Sequence, residues 1–328
     1  MVDYYLCSYC EKKAGYTSTH KKKEVCDTCK NLFERVEYFS SRIVEQLKKY
    51  EFDTLSIGVI LPKVEVEKEE KIFKELTSSH VKPTKIDFGE QVGYEVAQAL
   101  GKTFQKDNPD ITVTIDPKKD KISLQIKPLY IYGIYKKFLR GIPQTKWPCS
   151  KCRGLGCKVC DFTGQQYPET VEDLIAKEFL KATKGEDSKF HGAGREDIDA
   201  LNFGGREFVL DIRNPKIRTI DLEKTAKISN KANKDKVEVS DLRYSTKKEI
   251  IMLKEKKSIK TYRALTKLDN SISKDDLKKL DQLNNLIIDQ RTPERVSHRR
   301  GDLVRKRKVF EIKYNFIDKT TIELFIKG

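Results

Sequence analysis

The chain has 328 residues, with 66 Lys or Arg against 50 Asp or Glu and a formal charge of +16. That length suggests two or three domains, and 38% hydrophobic content is enough for their cores. No apolar run is long enough for a helix to span a bilayer and the N-terminus lacks a signal-peptide core, so a soluble, cytoplasmic chain is expected. The positive excess asks for a polyanionic partner, meaning RNA, DNA or an anionic membrane surface. Lys and Glu enrichment also suits a heat-adapted surface, and the two readings coexist.

In chain order, the first element is a metal ligand set. All eight cysteines fall in Cys-x-x-Cys pairs: Cys7/Cys10, Cys26/Cys29, Cys149/Cys152 and Cys157/Cys160. Two thiolates two residues apart offer both sulfurs to one tetrahedral ion, and two such pairs complete a closed structural site. The first four have zinc-ribbon spacing. The last four are joined by the short Arg153-Gly-Leu-Gly156, where Gly154 and Gly156 allow a sharp turn. Structural Zn2+ is expected at both, with iron–sulfur or disulfide chemistry left open at the second. No organic cofactor is expected.

Residues 33–50 have apolar positions at helical spacing (Phe33, Val36, Phe39, Ile43, Leu47). Leu55–Leu61 reads as a buried strand, and residues 67–78 and 92–103 as helices. Ile111–Ile115 and Ile122–Ile126 alternate as strands about a turn at 117–120. Tyr130–Tyr135, followed by Lys136, Lys137 and Arg140, interleaves aromatics with positive charge. Those rings suit base stacking or a strand's core equally. Beyond the second cysteine group, residues 171–180 read as an amphipathic helix. Strands are predicted at 208–212, 236–239 and 261–265, and helices at 222–230 and 247–256. Ser273-Lys-Asp-Asp276 has the form of a helix-starting capping box. Helices alternating with such strands predict an α+β fold with a mostly antiparallel sheet. No internal repeat stands out.

The most informative stretch is Phe190-His-Gly-Ala-Gly-Arg-Glu-Asp197. A small-residue turn presents Arg195 and, two residues on, Asp197. Alone, four residues support only a turn with a surface ion pair. The neighbours change that. The segments Ile131–Cys149, Gly194-Arg-Glu-Asp-Ile-Asp199, Lys260-Thr-Tyr-Arg-Ala264 and Gln290-Arg-Thr-Pro-Glu-Arg-Val-Ser-His-Arg-Arg300 occur in order. That series closely resembles the archaeal-type Pus-ten family of tRNA pseudouridine synthases, over nearly the whole chain.

The resemblance implies a zinc ribbon over 1–42, a THUMP-like RNA-binding domain over 43–145, a Cys-x-x-Cys knuckle linker over 146–165 and a pseudouridine synthase domain over 166–328. It implies isomerisation of uridine 54 and/or 55 in the tRNA T-loop. Asp197 is then the nucleophile. Arg195 fills the stack that the flipped base leaves, and Tyr262 stacks on that base. Asp199 is expected on the other face of an extended strand, in a structural role. Residues 291–308 hold eight Lys or Arg against two acids, and Arg299 and Arg300 are expected on the RNA backbone. The family continues past a terminal strand into a segment with a further active-site residue and an Arg that pairs with the catalytic Asp. This chain stops at Ile322–Gly328, where that segment is expected to begin. A truncated, split or degenerate synthase is therefore the runner-up, a tRNA-binding part that needs a separate C-terminal fragment. A generic zinc-ribbon RNA-binding protein is disfavoured by the ordered matches. A monomer is expected.

Overall fold

The first helix, α1 (Ser8–Ala14), starts straight after Cys7 and stops at Gly15, whose φ of +63° provides a left-handed cap. The computed structural model describes residues 4–18, 25–77, 81–256, 258–292 and 301–328. Arg299 and Arg300 lie outside them. The chain divides into two compact units, Met1–Glu255 and Lys256–Gly328.

In the first unit, α2 (Val36–Leu47), β1 (Thr54–Val59), α3 (Lys63–Leu76), α4 (Thr84–Leu100), β2 (Thr103–Phe104), β3 (Ile111–Asp116) and β4 (Lys121–Ile126) follow in order. The sheet runs β2-β1-β3-β4, with β1 parallel to β2 and β3, and β3 antiparallel to β4. Both α3 and α4 begin directly after a proline, Pro62 and Pro83, earlier than their apolar periodicity predicts. Buried Glu69 of α3 accepts the Thr84 amide at 2.7 Å and joins the two helices. Cys10, Cys26 and Cys29 share one core with Phe39, Ile43, Leu55, Phe88, Val92 and Ile111. The segment expected as a zinc ribbon over 1–42 thus shares this core and has none of its own. About forty residues bury too little surface to sustain one.

A second sheet of the same unit comprises β5 (Leu129–Lys137), β6 (Asp187–Gly192), β7 (Asn202–Arg213) and β8 (Val237–Tyr244), in the order β6-β7-β5-β8, all antiparallel. Helices α5 (Val171–Thr183) and α6 (Leu222–Ala232) share its main core through Val171, Ile175, Phe179, Leu222 and Ala226, with Tyr135, Phe190 and Phe208 from the strands. Helix α7 (Lys247–Glu255) packs Ile250 and Leu253 against Ala193 and Val209, residues of opposite parity. Two expected boundaries change here. Strand β5, grouped by sequence with the THUMP-like block, is hydrogen-bonded between β7 and β8. The knuckle expected as a linker is a closed excursion from this sheet. Its ends pair, with Cys149 N donating to Gly164 O at 2.7 Å and Gln166 N to Trp147 O at 2.8 Å.

The second unit contains β9 (Thr261–Lys267), α8 (Lys274–Leu277), β10 (Ile287–Arg291), β11 (Val304–Lys308), β12 (Glu311–Asp318) and β13 (Thr321–Lys327). One antiparallel sheet runs β12-β13-β9, and β10 pairs with β11 as a ribbon. The capping box forms at α8, where Ser273 Oγ accepts from Asp276 N at 3.2 Å and Asp276 accepts from Ser273 N at 3.0 Å.

Candidate active site and cysteine centres

The Gly-Arg-x-Asp segment lies between β6 and β7, and its unmatched residue, Glu196, holds it in place. Glu196 turns inward and its side chain is only 5% exposed. Tyr135 Oη donates to its carboxylate at 2.7 Å, Gln144 Nε2 donates at 3.1 Å, and Arg206 Nε lies 3.1 Å away as an ion pair. Burial, and then the charge of Glu196, push the Tyr135 hydroxyl well above its ordinary range, so it stays a donor. With Glu196 turned in, its neighbours Arg195 and Asp197 are both left exposed. Two glycines permit the path. Gly194 has φ +76°, and a β-carbon on Gly192 would sit 2.7 Å from the Gln144 amide.

The far side of the turn rests on Lys137, which is completely buried at the end of β5. Its ammonium donates to Ile142 O and Ile198 O at 2.8 Å each and to Asp197 O at 3.3 Å. Burial draws the Lys137 pKa down from its usual value. Arg140 donates to Asp199 O, Arg206 to Ala193 O at 2.8 Å, and Gln144 to Gly194 O at 3.1 Å. Five of the seven carbonyls from 193 to 199, all but those of 195 and 196, are thus held by side chains.

Asp199 departs from its expected place, and on a strand it would have shared the face of Asp197 rather than opposed it. It lies in a tight turn rather than on a strand, and its amide donates to Asp197 Oδ1 at 3.0 Å. The Tyr and Lys run of β5 is also spent internally. Tyr135 is core, Tyr132 donates to Glu207 at 2.8 Å beneath the Arg243 guanidinium, and Lys136 pairs with Glu238 at 3.1 Å.

Of the other residues singled out, Tyr262 lies on β9 opposite Ile326 and is 53% exposed. It belongs to the second unit, whereas Arg195 and Asp197 share one turn of the first. In the basic run, all five residues of β11 are exposed, including Arg305, Lys306, Arg307 and Lys308. Arg291 is paired with Asp302 at 2.5 Å. Sequence reasoning did not single out Glu196 or Gln144, and it read Lys137 only as one of the positive charges that follow the tyrosines, whereas it is buried and bonded internally. The signal for Lys137 was parity, since inward residues Leu129, Ile131, Gly133 and Tyr135 lead to it at a period of two.

Both cysteine groups converge. The sulfurs of Cys7, Cys10, Cys26 and Cys29 lie within 4.8 Å of one another, and so do those of Cys149, Cys152, Cys157 and Cys160. In the second group, Gly156 N donates to Cys152 Sγ at 3.2 Å and Cys157 N to Cys160 Sγ at 3.3 Å, as metal-bound thiolates require. Burial raises the Cys160 thiol, but backbone donors at Cys157 and Gly164 and the adjacent thiols outweigh it and bring it to about 6. Four sulfurs of this kind fit one tetrahedral divalent ion and leave no position for a substrate.

Among the described residues no helix is long and apolar enough to cross a membrane. The family description "Pus10, C-terminal" matches residues 130–328, and "Pus10 THUMP domain, archaeal" matches 39–116. The chain is 46% identical to the tRNA pseudouridine synthase Pus10 of Methanocaldococcus jannaschii, over 93% of this chain and 67% of that protein. It is 40% identical to the protein of that name from Methanococcus voltae, over 93% of this chain and 60% of the relative. With that of Methanothermobacter marburgensis it shares 42%, over 84% of this chain and 70% of the relative. The chain thus spans about two thirds of the length of these relatives. A family match over more than half its residues, and these identities over nearly all of it, show that the chain belongs to the Pus10 family of tRNA pseudouridine synthases.

Proposed function

We propose that the chain isomerises uridine to pseudouridine in the T-loop of tRNA, at position 54, position 55 or both, with Asp197 as nucleophile. The reaction breaks a glycosidic bond, turns the uracil and rejoins it through carbon. It needs neither redox chemistry nor a phosphate donor, and one carboxylate serves as the nucleophile. The observation that carries this reading is the inward anchoring of Glu196, which leaves Arg195 and Asp197 together at the surface. Extruding a base costs its stacking energy, and a guanidinium beside the carboxylate replaces part of it. Tyr262 is assigned to stacking on the flipped base. Arg299 and Arg300, with the exposed cations of β11, are assigned to the phosphate backbone. Zn2+ is assigned to both cysteine groups, where it stabilises the fold and takes no part in the chemistry.

The test is a pseudouridine assay on unmodified tRNA with wild type and Asp197→Asn. The amide keeps the shape but is no anionic nucleophile, so turnover is abolished while tRNA affinity stays within about threefold. Full activity of Asp197→Asn refutes the mechanism.

A further inference from the structure

We propose that the tip of the second cysteine knuckle is an RNA contact, with the ring of Phe162 stacked on an unpaired base of tRNA. The proposal rests on the tRNA reading above and assigns it a second binding site, away from the Arg195–Asp197 turn.

Residues 149–156 and 157–164 are two copies of one eight-residue unit, Cys-Ser-Lys-Cys-Arg-Gly-Leu-Gly and Cys-Lys-Val-Cys-Asp-Phe-Thr-Gly. Sequence reading passed over this repeat because only the cysteines and the last glycine are identical. The backbone makes it plain. Positive φ recurs at matching places, with Arg153 at +53° and Asp161 at +49°, Gly154 at +100° and Phe162 at +58°, and Gly156 at +86° and Gly164 at +71°. The two turns pack backbone to backbone, since a β-carbon on Gly156 would lie 2.8 Å from Phe162 O.

Phe162 therefore occupies a position where its twin is glycine and where a side chain strains the backbone. Burial does not compensate for that strain, because Phe162 is 72% exposed. Leu155 and Val159, on the same knuckle, are 92% and 73% exposed. Single exposed apolar residues are ordinary, but three within eight residues of a small rigid knuckle form a surface with a use. Its charge says what for. Lys151, Arg153 and Lys158 are exposed around these side chains, and Asp161 is the one acid between residues 150 and 163. Protein interfaces are depleted of lysine, whereas an aromatic face rimmed by cations is how unpaired nucleic acid is bound. The rigid turn presents the ring with little ordering cost.

The zinc-loaded full chain is titrated against fluorescently labelled unmodified tRNA by anisotropy, as wild type, Phe162→Gly, Phe162→Tyr and Leu155→Ser. Glycine suits the backbone, so Phe162→Gly keeps its metal and melts no lower than wild type. Its tRNA affinity falls roughly five- to a hundredfold, the loss expected of one base–aromatic stack, with the salt slope unchanged. Phe162→Tyr binds as wild type, and Leu155→Ser weakens binding less than Phe162→Gly. Wild-type affinity in Phe162→Gly overturns the proposal and leaves the synthase reading intact. A wild-type chain that does not bind tRNA overturns both. A change in self-association without a change in RNA affinity makes the tip a protein contact and also overturns it.

Discussion

Replacing Lys137 with Met tests whether the Arg195–Asp197 turn is held from below. Met keeps the length and apolar stem of the side chain, so packing along β5 survives. The ammonium and its bonds are lost: two carbonyls at 2.8 Å, Ile142 O and Ile198 O, and a weaker third at 3.3 Å, Asp197 O. A hydrogen bond from a charged donor contributes about 1.5–3 kcal/mol net, and a buried acceptor left alone costs about 1–3 kcal/mol. Against this, the substitution removes a buried ammonium, whose desolvation is what draws the Lys137 pKa down. The balance is a destabilisation of about 2–4 kcal/mol by denaturant unfolding. The second effect is local. With Ile198 and Asp197 released, hydrogen exchange rises over residues 193–200, and turnover on tRNA falls more than tRNA affinity. A variant that loses less than about 1 kcal/mol and keeps wild-type turnover shows that the turn does not depend on this lysine.

Glu172 at the start of α5 carries a pKa raised to about 7, first by burial, against an ordinary value of 4.5. Between those values the folded state binds more protons than the unfolded one, so stability falls as pH rises from about 4.5 to about 7 and stays lower above it. Glu172→Gln flattens that dependence and stabilises the protein at pH 8 by up to about 3 kcal/mol; parallel pH profiles for the two proteins refute the assignment. Elemental analysis is expected to return about two zinc ions per chain, and iron or no metal counts against it. Cys26→Ser unfolds the first block, because Cys26 is fully buried in the core shared with Phe39 and Phe88; its loss reads out as a lower melting temperature. Reversing Arg305 and Arg307 to Glu weakens tRNA binding and flattens its dependence on salt, and an unchanged slope makes β11 a merely solvated strand.

Whatever is local was legible in the amino-acid order. Cysteine spacing identified both ligand groups because two-residue pairs are geometry that survives any fold. Alternation predicted β3 and β4, and the Ser273 box formed as read, because caps and pleats involve residues only a few positions apart. The ordered motifs also carried the family. The tertiary structure decided what depends on strand order. Parity could place Lys137 inward but could not supply its partners. Two of the three, Asp197 O and Ile198 O, come from a loop some 60 residues away, which reaches Lys137 because β7 lies beside β5. The same pairing makes Glu196, the unspecified residue of the motif, the one that anchors it through Tyr135, Gln144 and Arg206. It also moved β5 out of the THUMP-like block and made the knuckle an excursion instead of a linker. Local pattern says which face a residue shows, and only the order of strands says what that face meets.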